Sequence, residues 1–179
     1  MAYLAFGALG VAATGAGTLD LQGKPFDPFT DSVRARVFLF VRTDCPLTNR
    51  YAPELQRIAS EFVGKGVDFW LIYPDPAETS SGIETQIEQY KLPGRPLRDP
   101  HHALVARSRA TVSPEAAVFD SAGRLIYTGR IDDLYVDFGK ARPAALTHDL
   151  EDAITGVLAG KKMTFSRTRA VGCYLADVQ

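Results

Sequence analysis

Between positions 35 and 41 the chain reads Ala35-Arg36-Val37-Phe38-Leu39-Phe40-Val41, apolar at every position but one. A strand with one wet face alternates apolar and polar residues; a nearly continuous apolar run must be covered on both faces. This segment therefore belongs inside a sheet, with other layers on either side. A helix follows. Leu47, Tyr51, Leu55, Ile58 and Phe62 recur at helical spacing and form one apolar stripe, ended by Gly64 and Gly66. Pro53 falls inside it and is expected to kink it, because proline removes a backbone donor.

Val67 to Tyr73 reads as a second strand, stopped by Pro74. Ser81-Gly82-Ile83-Glu84 has the form of a capping box, with Ile83, Ile87 and Tyr90 along one face of the helix it would start. Asp99-Pro100 is expected to open a short third helix through His101 to Arg107. Glu115 to Phe119 and Arg124 to Thr128 flank the turn Asp120-Ser121-Ala122-Gly123 and predict a hairpin. Leu146, Leu150, Ile154 and Val157 predict a last amphipathic helix. Asp149, Glu151 and Asp152 lie near its start and Lys161 and Lys162 past its end, matching the helix dipole. A strand–helix–strand crossover followed by an antiparallel hairpin gives an α/β fold, a mixed sheet flanked by helices on both faces. With 179 residues, 46% of them hydrophobic, the expected organisation is an irregular leader over 1–30 and a single domain over 31–179.

The charge balance narrows the function. Twenty basic and 21 acidic residues are spread along the chain, with no basic stripe to bind nucleic acid. Met1 to Thr18 is apolar and small, like the core of a secretory signal, but the first basic residue is Lys24. The run is short and broken by glycine, so no stable membrane insertion is expected. The compartment stays open between a periplasmic or secreted location and the cytoplasm. Asp132, Asp133, Asp137, Asp149, Glu151 and Asp152 fit no calcium-loop spacing and read as a solvated turn and a helix start.

Two cysteines carry the chemistry. Cys45 lies just after the buried strand and just before the first helix. The free amides of a helix's first turn and its dipole favour a thiolate there. Asp44 opposes this but can turn to solvent. The competing reading is a small packed hydrophobe. Cys173, after Gly172, is either an inert packed thiol or a partner for Cys45, which needs Cα atoms within about 7 Å. His101, His102 and His148 have no cysteine at metal-ligand spacing, so neither metal nor cofactor is expected.

The stretch Phe38 to Phe62 resembles the active-site segment of the thioredoxin superfamily, with Cys45-Pro46-Leu47-Thr48 in place of CxxC and the Ala52-Pro53 pair where that family has its helix proline. Ser113-Pro114 stands before the hairpin, where the superfamily keeps a cis-proline. The insertion between Tyr73 and Ser113 resembles the redoxin branch, the peroxiredoxin-like (AhpC/TSA) and TlpA-like proteins. Asp99-Pro100-His101, Ser113-Pro114-Glu115-Ala116, Gly129-Arg130-Ile131-Asp132-Asp133 and Gly172-Cys173 are similar to bacterial redoxin-domain proteins. The resemblance implies a thiol-based oxidoreductase. Cys45 would be the reactive thiol, Thr48 a donor to its thiolate, and Ser113 and Pro114 a rest for an extended substrate. The partners implied are a protein disulfide or small oxidant and a thiol electron donor. Thr48 replaces the second cysteine, so another thiol must resolve the mixed disulfide, and Cys173 is the candidate. A peroxidase PxxxTxxC pattern ending at Cys45 would need Pro at 38 and Thr at 42, where the chain has Phe38 and Arg42. The alternatives are a redox-inactive binding module using the same groove, or a protein that handles metal or haem.

Overall fold

The computed structural model describes residues 17–161 and 164–175, so all but the last two residues of the apolar run from Met1 to Thr18 lie outside the described residues. Elements follow in the order β1 (Ala35–Phe40), α1 (Pro46–Phe62), β2 (Val67–Tyr73), α2 (Ser80–Tyr90), β3 (Arg95–Arg98), α3 (Ala103–Ser108), β4 (Val112–Ser113), β5 (Glu115–Asp120), β6 (Leu125–Gly129), β7 (Tyr135–Asp137), β8 (Lys140–Ala141), α4 (Asp149–Leu158), β9 (Ser166–Arg167) and β10 (Cys173–Tyr174). The main sheet runs β3-β2-β1-β5-β6-β9. β1 is parallel to β2 and antiparallel to β5, so the sheet is mixed. β1 takes the interior place its apolar run demanded, with all of its residues buried.

Alternation along β1 builds two cores. Val37, Leu39 and Val41 pack with Tyr51, Leu55, Ile58 and Phe62 of α1, Ile83 of α2, and Leu150 and Ile154 of α4. Phe38 and Phe40 face the other way, onto Trp70, Phe119 and the α3 residues Leu104 and Val105. Helices cover both faces, as the pattern required. The one charge in the run, Arg36, is buried and donates to the carbonyls of Pro28 (2.9 Å), Phe29 (3.3 Å) and Asp31. It ties the irregular lead-in to the sheet, where Phe26 and Phe29 pack against the second core. No described helix is long and apolar enough to cross a membrane.

Several local expectations are corrected. The cap of α2 is Thr79, whose side chain accepts from the amide of Gly82 at 3.2 Å; Ser81 is already helical. α3 starts at Ala103, later than expected. Asp99 still caps it, from a turn: its carboxylate accepts from the amides of Ala103, Leu104 and Val105 at 2.8, 2.9 and 2.9 Å. α4 starts at Asp149, leaving Leu146 outside it and 74% exposed. Asp132 and Asp133 are not solvated. Asp132 accepts from the Tyr51 hydroxyl at 2.7 Å, and Asp133 from the amides of Leu146 and Thr147 at 2.6 and 3.0 Å. β3 escaped the sequence reading because it holds Pro96, which a strand at the sheet edge tolerates.

Candidate active site

The site begins where β1 runs out. The chain turns through residues 42–44 and Cys45 occupies the cap position of α1, with extended backbone (φ −86°, ψ 111°). Other elements hold this turn in place. The Thr43 amide donates to Glu78 Oε1 at 2.6 Å, and Gln86 Nε2 donates to the Arg42 carbonyl at 3.0 Å. Burial pushes the Glu78 carboxyl above its ordinary value, with the Thr43 amide working against it. Asp44 turns outward, as expected, and accepts from Arg42 Nε and Nη2 at 2.9 Å each.

β4 lies across the end of α1. The Ser113–Pro114 bond is cis, and the Ser113 carbonyl accepts from Cys45 Sγ at 3.0 Å. The Thr48 hydroxyl lies 3.0 Å from Ser113 Oγ and locks β4 onto α1, so the Thr48 group that acts on the Cys45 sulfur is its backbone amide. Glu115, buried beside the cis bond, accepts from the amides of Thr111 and Val112 at 2.6 and 3.1 Å and fixes β4 from the hairpin side.

The end of the described chain closes the site. β10 pairs antiparallel with β4, placing Cys173 opposite Ser113 and Tyr174 opposite Val112. Cys173 Sγ lies 2.9 Å from Cys45 Sγ, between residues 128 apart in sequence, and both thiols are free. Gly172 acts by its size. A Cβ there would lie 2.1 Å from the Ser113 carbonyl oxygen, so only glycine lets this strand sit so close. Arg42 Nη1 donates to the Tyr174 carbonyl at 3.0 Å, and the Leu175 amide to the Thr111 carbonyl at 3.1 Å. Leu175 itself is buried in the second core.

This packing drives the two thiols apart in acidity. Burial of Cys45 favours its neutral form. Against it act the Cys173 thiol as a donor and then the backbone amides of Thr48, Cys173 and Leu47, and together they lower the Cys45 pKa. Neither helix amide closes a full capping hydrogen bond to the sulfur; they act on it as dipoles. Burial, the bond to Cys45 and the charges of Cys45 and Asp44 push Cys173 up to about 12, with Arg42 pulling the other way. Cys45 is fully buried, while Cys173 above it is partly exposed.

Of the residues singled out in the sequence, Cys45, Cys173, Ser113 and Pro114 meet in one place. Sequence reasoning missed the positioning roles of Glu78 and Glu115. Only the adjacency of Glu115 to Pro114 hinted at either. His102 sits at the start of α3 with its ring nitrogen 3.1 Å from the Pro74 carbonyl, not as a side-chain cap. Elsewhere Glu54, His148 and Glu151 approach one another closely enough to share a cation, but Arg57 already donates to both carboxylates.

No protein-family model matches the chain, and no curated protein matches its sequence. Solved structures do. A hypothetical protein from Sinorhizobium meliloti superposes with a TM-score of 0.70 at 25% identity, over 88% of each chain. An uncharacterized conserved protein from Geobacillus kaustophilus gives 0.72 at 20% identity, over 88% of this chain and 86% of that one. A secreted Mycobacterium tuberculosis disulfide oxidoreductase, homologous to Escherichia coli DsbE, gives 0.55 at 20% identity, over 83% and 97%. The fold is thioredoxin-like. In a thioredoxin-like frame, Cys45 at the start of α1 faces the cis-proline turn, and Cys173 arrives from the far end of the chain.

Proposed function

We propose that the protein is a thiol-disulfide oxidoreductase in which Cys45 is the nucleophile and Cys173 the resolving thiol. The observation that carries the reading is the 2.9 Å contact between the two sulfurs, beside the cis-proline turn. The chemistry needs one thiol ionised near neutral pH and a second within reach of it. The lowering of the Cys45 pKa supports the first need, and Cys173 supplies what Thr48 at the usual second position cannot.

The Cys45 thiolate attacks one sulfur of a substrate disulfide. A bond forms from Cys45 to that sulfur, and the other substrate sulfur leaves as a thiolate and takes a proton from water. Cys173 then gives up its proton and attacks Cys45. The Cys45–Cys173 bond forms, and the second substrate sulfur departs and receives that proton. The substrate disulfide gains two electrons and the protein loses two. A dithiol donor returns the protein to its starting state. The named oxidoreductase from Mycobacterium tuberculosis, sharing the fold, supports this class of reaction.

The full burial of Cys45 favours a second reading, a groove that binds without redox chemistry. One experiment separates them. Reduction of a peptide disulfide with dithiothreitol as donor is compared between the wild type and Cys45→Ser. The oxidoreductase reading expects turnover that the variant abolishes, and a Cys45–Cys173 linked peptide in non-reducing mass spectrometry after mild diamide treatment. No turnover, with both thiols free after oxidant, leaves the binding module.

A further inference from the structure

Cys45 has no path to solvent while β10 is in place, and the way β10 covers it says what must replace it. β4 is two residues long and carries Ser113, whose carbonyl contacts Cys45. β10 runs antiparallel along that edge, and the residue opposite Ser113 has its sulfur 2.9 Å from the Cys45 sulfur. Any extended chain pairing with β4 in the same register delivers its own side chain to that spot, because strand pairing fixes register through the backbone.

We propose that residues 169–175 form an internal strap that stands in for substrate and gates the site: the strap must unzip from β4 before an extended, cysteine-bearing polypeptide can reach Cys45. The proposal rests on Cys45 being the reactive thiol of the oxidoreductase reading, and adds to it who holds the groove at rest and how it opens.

The strap is built to come and go. Its ladder with β4 spans two residue pairs. Its other holds are the Arg42 bond to the Tyr174 carbonyl, the Leu175 amide to the Thr111 carbonyl, and the Leu175 side chain in the second core. On the near side, Thr168 is fastened separately: its amide donates to the Thr128 carbonyl at 3.1 Å and its hydroxyl lies close to the Tyr127 hydroxyl. Between the anchored Thr168 and the two-pair ladder, Arg169 to Gly172 form the hinge about which Cys173 to Leu175 lift. A cavity lined by Val112, Phe138, Gly172 and Tyr174 lies along the strap. Tyr174 is 82% and Phe138 56% exposed, so the lane has apolar ground for the side chains of an incoming strand. The fit of Gly172 against Ser113 also sets a preference: a polypeptide in the same register is best served by glycine before its cysteine.

The test loosens the strap in the full chain and reads the accessibility of Cys45, without any turnover. In a Cys173→Ser background, Cys45 is the reporting thiol. Its rate of labelling by a bulky maleimide is followed to the plateau at high pH, where differences in ionisation no longer count. Gly172→Val drives a Cβ into the Ser113 carbonyl, and Leu175→Ala removes the apolar anchor. Each net hydrogen bond is worth roughly a few-fold to tenfold in an opening equilibrium, so Gly172→Val is expected to raise the plateau rate about tenfold or more, and Leu175→Ala in the same direction. Unchanged far-ultraviolet circular dichroism shows that each variant keeps its fold. Plateau rates equal to the parent's in both variants overturn the strap. If the oxidoreductase reading fails instead, turnover and the Cys45–Cys173 linkage are missing while the labelling rates still report on gating.

Discussion

Two sulfurs in contact cannot easily both carry charge, and the surroundings decide which one does. Cys45 has helix amides and the Cys173 thiol to hold a negative charge, whereas Cys173 has that same charge and Asp44 beside it. The pair is therefore expected to lose its protons in two separated steps. In thiolate absorbance near 240 nm, the first falls below the ordinary thiol value of about 8.5, and the second lies up towards about 12. A single step for both thiols at the ordinary value contradicts this. The signs for stability are opposite. Cys45, with its folded pKa lowered, contributes stability above the ordinary thiol value that is lost as pH falls through its folded value. Cys173, with its pKa raised, contributes stability below the ordinary value that is lost as pH climbs towards about 12. The same asymmetry sets the direction of reduction. In the proposed disulfide form Cys173 would be the sulfur an outside thiol meets, and Cys45 the better leaving group, since thiols of lower pKa leave faster. Oxidised protein given excess glutathione and trapped with iodoacetamide is expected to carry glutathione on Cys173 and the alkyl group on Cys45. The reverse distribution in peptide mass spectrometry contradicts the assignment.

Elements were legible in the sequence in proportion to their length. β1, β2, α1 and the β5–β6 hairpin each span enough residues for an apolar period to show, and they lie close to where the pattern put them. β4, β9 and β10 have two residues each, too few for any period, and β4 and β10 shape the site. That is why Cys45 and Ser113-Pro114 could be read from local sequence, while the sequence leaves Cys173 open between a partner for Cys45 and an inert packed thiol. The partnership depends on a strand pairing decided by Gly172, Arg42 and Leu175 across the fold. Caps were half legible. Asp99 was read as a cap, but the register was wrong, because its carboxylate reaches forward across the turn to three amides of α3. Asp99→Ala leaves these three buried or half-buried donors without their acceptor. It is expected to destabilise the protein by about 1–3 kcal/mol in urea unfolding. α3 forms the cover of the second core, which also holds Leu175, so the same variant should loosen the strap. A loss below about 0.5 kcal/mol, with Cys45 labelling unchanged, shows that water replaces the carboxylate.

For the molecule as a whole, the proposed Cys45–Cys173 disulfide would join two positions 128 residues apart and close a loop holding most of the sheet and the four described helices. Cross-linking so long a loop restricts the unfolded chain strongly, by about 3–5 kcal/mol in the chain-entropy view. The oxidised protein should therefore unfold at higher urea than the reduced one, and Cys45→Ser should erase the difference. An opposing effect has a readable sign. Whatever stabilises the Cys45 thiolate stabilises the reduced fold, and through the thermodynamic cycle makes the disulfide a stronger oxidant. The two effects meet in one measurement, the urea midpoint of oxidised minus reduced protein across pH. At low pH Cys45 is protonated in both the folded and the unfolded reduced chain, and loop closure acts alone. As pH rises through the lowered Cys45 pKa, the reduced fold gains and the gap should narrow. A gap that widens over that range means that the thiolate is not held by the fold. A gap that is negative at low pH means that the folded chain resists the bond, and that the cysteine contact does not serve as a resolving pair.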